Sequence, residues 1–348
     1  MKIRRLKPDE FDQAVKLADE TFRDGGHTSM GEAFPQVFSK ELQLSYGAFD
    51  GEKLVSFIGL VPSIIRIGSA SLNIFSIGAV CTDMSYRKQG ISTRILKEIY
   101  QSIDNAGASL LLISGDRGLY TRNDCYHFGS MKKFTLEANV KRAIYDGSVR
   151  KGTEADIFSV HQLNKNKKVR YESSVWEWAM LLKAGGFASI FKKDQALFVA
   201  EKDNEIKGYA VIGLQEENNG TDNGIVMEWG GDPQAVHGIF QDMLMGNYVS
   251  KLELAVTWQD ELQQELHAYQ NEERKNGGTV YIVNRERFID QAFPYLKEQN
   301  PEISKPEILE SINALTPKEF VKKVFDPNEN AESVFPLPMP STEGLNYV

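Results

Sequence analysis

The stretch from Leu72 to Ser114 constrains this chain more than any other. Leu72–Thr82 is a run of small and apolar residues, and the polar turn Asp83–Gly90 follows it. Ile91, Ile95, Leu96, Ile99 and Ile103 then recur at helical spacing, closed by Asn105-Ala106-Gly107. Ser109–Ser114 (SLLLIS) is a short continuous apolar run, the pattern of a buried parallel strand. Strand, helix, strand in this order predicts a βαβ crossover, with two parallel strands side by side and the helix on one face. The flanks agree with a mixed sheet. Lys2–Leu6 reads as an edge strand, and Pro8 opens a helix with Phe11, Val15, Leu17, Ala18 and Phe22 on one face, ended by Gly25-Gly26. Leu42–Phe49 reads as a strand, the Asp50-Gly51 hairpin turn leads into Lys53–Val61, and Ile64–Ile67 is one strand more. The expected class is α/β, of the α+β mixed-sheet kind.

The second half repeats this plan. Asp50–Leu60 (DGEKLVSFIGL) resembles Lys202–Leu214 (KDNEIKGYAVIGL) at an offset of about 154. After it, Gly224–Trp229 is strand-like, Pro233–Met245 helix-like and Lys251–Val256 alternating. A hairpin followed by strand, helix and strand, found twice, predicts a tandem duplication. The expected division is a first unit over residues 1–145, a second over 146–280, and a short C-terminal segment over 281–348 that packs back toward the active site. That segment begins with YIVNRERF and a helix near Ile289–Leu296 interrupted by Pro294. Its tail, Phe335-Pro336-Leu337-Pro338-Met339-Pro340, must be extended.

Charge and cysteine content narrow the function. With 40 Lys+Arg against 48 Asp+Glu the net charge is −8, which argues against a nucleic-acid binder. Residues 1–140 hold 17 basic and 16 acidic side chains, and the remaining 23 and 32 leave a net −9. Cys81 and Cys125 are too few for a disulfide framework, and the five histidines form no ligand-spaced pair, so no metal is expected. No apolar stretch reaches the roughly 20 residues that span a bilayer. The basic start lacks the apolar core of a secretory signal, so a soluble cytoplasmic protein is expected.

The chemistry-bearing motif is Val80-Cys81-Thr82-Asp83-Met84-Ser85-Tyr86-Arg87-Lys88-Gln89-Gly90-Ile91-Ser92. Arg87-x-x-Gly90-x-Ser92 places unpaired backbone N–H groups at a helix start, where the macrodipole is positive. A pyrophosphate is stabilised there. Gly90 lets phosphate oxygens approach the backbone, Ser92 adds a hydroxyl, and Arg87 and Lys88 add charge. A basic turn capping an ordinary helix is the plain alternative. Neither the P-loop pattern nor the dinucleotide Gly-x-Gly-x-x-Gly occurs here.

These residues resemble the signature of the GNAT superfamily of acetyl-CoA-dependent N-acetyltransferases, Arg/Gln-x-x-Gly-x-Gly/Ala after a strand, with an upstream Val-x-Thr and a Tyr-Arg pair. Val80-Cys81-Thr82 and Tyr86-Arg87-Lys88-Gln89-Gly90-Ile91 fit it; Ser92 replaces the usual Gly or Ala. The resemblance spans roughly residues 1–140. It implies that Ile77–Thr82 and Leu110–Ser114 splay apart to admit the pantetheine arm, which pairs with Val80 and Thr82 while Arg87 to Ser92 hold the pyrophosphate. It also implies that Tyr120, in Leu119–Tyr126, protonates the departing thiolate; Asp124-Cys125 stands where the family has Gly-Phe. The residues alone single out no base. The tandem arrangement and the tail resemble the enhanced-intracellular-survival (Eis-like) type, which implies that the carboxylate of Val348 is base or amine anchor. Trp229-Gly230-Gly231-Asp232-Pro233 lacks the Arg-x-x-Gly spacing, so the second unit is read as structural.

The expected activity is therefore transfer of an acetyl group from acetyl-CoA to a primary amine of a small molecule or peptide, by direct attack in a ternary complex. No metal, nucleic-acid or membrane partner is expected, and the oligomeric state is open. Two other readings stand beside it: a peptidoglycan-bridge aminoacyl transferase of tandem-GNAT type, and a non-catalytic acetyl-CoA-binding sensor. A Cys125–His127 nucleophile is discounted for want of a facing geometry. Ser114 lacks the glycine that precedes a nucleophile in an elbow. One of Trp176 and Trp178 is expected in the core. Phe22, Phe34 and Phe38 are read either as core or as acceptor-pocket walls.

Overall fold

In the computed structural model, which describes residues 1–138, 145–215, 222–327 and 334–348, Asp50-Gly51 turns one strand back on the next, with Gly51 at φ 61°. The strands are β1 Lys2–Arg5, β2 Tyr46–Asp50, β3 Lys53–Ile67, β4 Ala70–Thr82, β5 Leu110–Ile113, β6 Met131–Glu137, β7 Ser148–Lys151, β8 Val169–Glu172, β9 Asp194–Lys202, β10 Glu205–Leu214, β11 Asn223–Gly231, β12 Lys251–Thr257, β13 Gln270–Arg274 and β14 Thr279–Ile282. The first four helices are α1 Phe11–Phe22, α2 Met30–Ala33, α3 Ile91–Asn105 and α4 Gly118–Thr121.

The first sheet runs β1-β2-β3-β4-β5-β14. β4 and β5 are parallel and joined by α3, as the apolar run, helical spacing and second apolar run require. Ile91, Ile95, Leu96, Ile99 and Ile103 of α3 pack on Val55, Ile58, Leu60 and Ile77. Each such side chain contributes on the order of 1.5–3 kcal/mol on burial. The opposite face carries α1 and α2, where Phe11, Phe34, Val37 and Phe38 meet Leu54, Phe57 and Val61. β3 is one strand of 15 residues rather than two, because it runs straight through Pro62. β2 stops pairing at Ile58, so no bond to β2 is asked of the N–H that Pro62 lacks. β2 begins at Tyr46, and exposed Leu42 lies outside it.

The second sheet runs β13-β6-β12-β11-β10-β9-β7, with β11 and β12 parallel and the helix Pro233–Met245 between them in sequence. That helix buries Ala235, Val236, Ile239, Phe240, Met243 and Leu244 in a separate core. The two hairpins close on corresponding pairs, Lys202↔Glu205 and Asp50↔Lys53, an offset of 152. The plan found twice in the sequence is thus found twice in the sheets.

The compact units differ from the expected cuts. One comprises Met1–Phe128, Gly277–Leu337 and Tyr347–Val348; the other comprises Gly129–Asn276 and Pro338–Asn346. β6, which follows the first half in sequence, pairs with β12, and β14, which follows the second, pairs with β5. The expected boundary at 145 therefore falls at 128, that at 280 falls at 276, and residues 281–348 form no separate segment. Within the first unit the helix Arg285–Gln299 continues through Pro294, and the helices Lys305–Asn313 and Pro317–Phe325 follow.

Candidate active site

β4 carries the decisive irregularity. Its pairing with β5 ends at Ile77↔Ile113, yet β4 continues five residues further to Thr82, so the two strands part there. At the same place its register with β3 shifts, from Gly59↔Gly78 to Phe57↔Cys81. The bulge puts Ala79 at φ 51°, a conformation costly for a residue with a Cβ. Asp83 N–H donates to Val55 O on β3 at 2.9 Å. Strand alternation then turns the N–H groups of Thr82 and Val80 toward the opposite edge, where β5 has left.

The turn after β4 is a short 3-10 helix over Met84–Tyr86, started by Asp83, whose Oδ1 accepts from Ser85 N–H at 2.9 Å. Lys53 Nζ lies 2.7 Å from Asp83 Oδ2, and Tyr86 O–H donates to Asp50 at 2.8 Å, tying the turn to the β2–β3 hairpin. Lys88 (φ 64°) and Gly90 (φ 71°) take left-handed conformations, and Gly90 caps α3 without a side-chain cap bond. A Cβ on Gly90 would meet nothing within 4 Å, so the helix N-terminus is open. Arg87, Lys88, Gln89 and Gly90 are exposed around it. Arg87 Nε donates to Thr82 O at 3.0 Å, which lays the guanidinium along the end of β4.

Three expected contact residues take other positions than their side chains suggest. Ile91 and Cys81 are buried, and Cys81 O accepts from Ser56 Oγ at 3.0 Å on the β3 side. Burial pushes the Cys81 thiol up to about 12. Ser92 Oγ lies 3.2 Å from Thr82 Oγ1, itself 2.8 Å from Ser56 Oγ, so this hydroxyl belongs to a chain within the protein.

Tyr120 sits in α4, buried against the α3 core. A Cβ on Gly115 would lie 2.7 Å from its ring. Burial pushes its phenol up to about 12, Arg117 opposes the rise, and Cys125 and Tyr347 add to it. Tyr347 lies close enough to Tyr120 to act on its phenol. Val348 packs in the core of α1 and α2, and a Cβ on Gly78 would lie 2.2 Å from the Val348 carboxyl carbon and 2.8 Å from its oxygen. The terminus thus lies against the bulge where β4 and β5 part. A Cβ on Gly59 would meet Val37 at 2.3 Å, so the segment after α2 touches the bulge as well. Gln36 Nε2 donates to Tyr347 O at 3.4 Å.

In the second unit, the helix Pro233–Met245 has its N-terminus already filled. Asp232 Oδ1 accepts from Gln234 N–H at 2.8 Å and Ala235 N–H at 3.1 Å. A carboxylate supplied by the chain occupies the donors that a pyrophosphate would need.

The discounted residues are placed as follows. Cys125 is buried with Tyr100 O–H 3.4 Å from its sulfur, while His127 Nδ1 lies 3.0 Å from Gly278 O. Ser114 Oγ donates to Ile77 O at 3.5 Å. Trp178 is core and Trp176 is exposed; Phe34 and Phe38 are core and Phe22 is exposed. Among the described residues no group of three or more His, Cys, Asp or Glu could hold a metal, and no helix is long and apolar enough to cross a membrane. Gly78, Ala79 and Gln36 were not singled out from sequence. The small pair Gly78-Ala79 inside an apolar strand was the available sign of a bulge.

Residues 2–127 match the family model of the acetyltransferase (GNAT) domain. The mixed α/β fold is similar to that of solved N-acyltransferases. It is similar to a conserved protein of unknown function from Enterococcus faecalis, a probable N-acyltransferase (14% identity, TM-score 0.66, covering 83% of this chain and 74% of that one). It is similar to Eis1 from Mycobacterium abscessus (14%, TM-score 0.59, 82% and 74%). It is also similar to Saccharomyces cerevisiae N-myristoyltransferase, solved with myristoyl-CoA bound (11%, TM-score 0.51, 82% and 83%). No curated protein matches the sequence. The GNAT model ends where the first unit's N-terminal portion ends, so β14 and the tail lie outside it.

Proposed function

We propose that this protein transfers the acetyl group of acetyl-CoA to a primary amine of a small molecule or peptide, without a covalent enzyme intermediate. The observation that carries this reading is the parting of β4 and β5 beside an open, glycine-capped helix N-terminus. The pantetheine arm fits the free edge at Val80 and Thr82 as an added strand, and Thr82 O has a second lone pair beyond the one Arg87 uses. The pyrophosphate fits the N–H groups of Gly90, Ile91 and Ser92, with Arg87, Lys88 and Gln89 around it. The thioester then falls where β4 bulges, between Tyr120 and the terminus.

The amine lone pair attacks the thioester carbonyl carbon, a C–N bond forms and the C–S bond breaks. The thiolate takes a proton from Tyr120, and the ammonium proton passes to the Val348 carboxylate. Burial keeps the phenol protonated throughout the working pH range, while making it a weaker acid than a free tyrosine. The second unit binds no acyl-CoA in this reading, because Asp232 fills its helix terminus.

Calorimetric titration with acetyl-CoA, followed by an amine screen including aminoglycosides and polyamines, tests the proposal. Saturable binding and acetylated product are expected. Absence of binding refutes the cradle. Binding without turnover on any amine refutes the enzyme reading and favours a sensor.

A further inference from the structure

Residues 157–193 reverse the sign of the chain. They hold seven Lys and Arg against two Glu, a net +5, within a protein of net −8, so the remainder carries −13. Three helices of the second unit lie in this stretch, α5 Ile157–Asn166, α6 Val175–Ala184 and α7 Gly186–Ile190. Strand alternation shows that they cover one face of the second sheet. Tyr209 and Val211 of β10 share a core with Val160, Trp178 and Ala188 of these helices. Ala210 and Ile212, one position along, belong to the core of the helix Pro233–Met245. The three helices therefore form one layer, opposite that helix, and their other side faces water.

That outer side is apolar as well as basic. On α5, Val160 and Asn164 are buried, while Phe158 and Lys165, two turns apart on the opposite face, are exposed. On α6, Trp178 and Leu181 are buried, while Trp176 and Lys183 repeat the same exposed pairing. Phe191 and Lys192 are exposed side by side just after α7. Phe158 is 73% and Trp176 72% exposed, and among the described residues only Met84 is a more exposed large hydrophobic side chain. The two carboxylates of the stretch are engaged within it. Glu177 accepts from Ser174 N–H at 2.7 Å, and Glu172 accepts from Arg170 at 3.2 Å. Exposed rings contribute nothing to the core, and several on one layer mark a contact surface. Rings at the headgroup level with lysines among them are the composition of a membrane-surface helix.

We propose that the outer side of α5, α6 and α7 docks on an anionic phospholipid surface. Phe158, Trp176 and Phe191 enter the headgroup layer, and Lys165, Lys183 and Lys192 meet the lipid phosphates. Charge decides the occupant. A second copy seated through the same face would set +5 against +5. A neutral bilayer would leave the lysines without a counter-charge. A nucleic-acid strand is held in a groove, whereas these side chains stand on the outward faces of helices. Contact of this peripheral kind needs no spanning helix, and it is independent of the acetyl-transfer reading.

The test is flotation of the full chain with vesicles of phosphatidylcholine alone and of phosphatidylcholine containing about 30% phosphatidylglycerol. Binding to the mixed vesicles is expected, about tenfold or more tighter than to the neutral ones, and weakened by salt. Tryptophan emission should shift to the blue on binding, and Trp176→Phe should remove most of that shift while keeping the binding. Phe158→Ser with Trp176→Ser, and Lys165→Glu with Lys183→Glu, should each weaken binding by about tenfold or more. Met245→Ser, at an exposed position on the opposite layer, should leave binding within about twofold. All five side chains are exposed, so thermal scans of these variants should match the wild type. No binding to the mixed vesicles overturns the proposal, as does equal binding to the neutral ones. Binding retained in both double variants, or lost equally in Met245→Ser, places the contact elsewhere and overturns it too. Tighter binding to a single-stranded oligonucleotide, lost in the same variants, would make the partner a nucleic acid and reject the lipid. A dimer in sedimentation velocity that both double variants dissolve would make the face a contact between copies, and the proposal falls.

Discussion

Gly78→Ala is the sharpest probe of the site. The added methyl would lie 2.2 Å from the Val348 carboxyl carbon, while ordinary contact begins at 3.4 Å, so the terminus must retreat by at least 1.2 Å. The retreat cannot be shared by a flexing side chain, because the atom in the way is backbone. Gly78 does not have the positive φ that strains a residue with a Cβ, so the substitution tests space and not conformation. Misplacing a reacting group by about 1 Å costs roughly a hundredfold in rate. That is about 2.7 kcal/mol of transition-state stabilisation. Steady-state kinetics should therefore show kcat down about a hundredfold while calorimetric affinity for acetyl-CoA changes by less than about threefold, because the cradle at Arg87–Ser92 is untouched. A thermal scan checks that the fold survives. If kcat in Gly78→Ala stays within about threefold of the wild type, with chemistry shown to limit the rate, the terminal carboxylate has no part in catalysis.

Three further outcomes are expected. Tyr120→Phe should lower turnover by about 10- to 100-fold with acetyl-CoA affinity unchanged. Because burial holds the phenol at about 12, no alkaline fall in the wild-type rate near pH 10 should trace to it, and an inflection there that vanishes in Tyr120→Phe refutes the assignment. Gly90→Ala forces a Cβ into the left-handed region at φ 71° without a clash, so calorimetry should show acetyl-CoA binding about 5- to 10-fold weaker from roughly 1 kcal/mol of strain; undiminished binding removes this turn from the cradle. Asp156 is held below the usual carboxylate range chiefly by Arg150, with Thr153 N–H donating as well. Its folded value is depressed, so its contribution is present above the unfolded value near 4 and is lost as pH falls toward the folded one. Asp156→Asn should cost about 1–2 kcal/mol in urea denaturation at pH 7, a difference that shrinks below about pH 4; a gap that widens in acid would contradict the sign.

What the sequence disclosed followed from range. The crossover from Leu72 to Ser114 was legible because helical spacing and an unbroken apolar run are local patterns, and both sheets follow the repeat seen around Asp50 and Lys202. The Arg87–Gly90 turn was legible for the same reason. Pro62 misled, because a proline breaks a ladder only where a neighbour asks for its N–H. The partners of β6 and β14 were hidden, since alternation marks a strand and not the sheet it will join. That the last two residues return to Gly78 is invisible in residue types, and only the family resemblance pointed there.

The pairing of β14 with β5 bears on any attempt to trim this protein. A fragment ending at residue 145 contains the whole proposed acyl-CoA cradle, yet it leaves Leu110–Ile113 with a bare row of amides and carbonyls where Thr279–Ile282 should lie. Such an edge invites pairing between copies, so the shortened protein is destined for aggregates in the bacterial pellet rather than for a minimal catalyst. Splitting the gene works only if the missing ribbon travels with the front half.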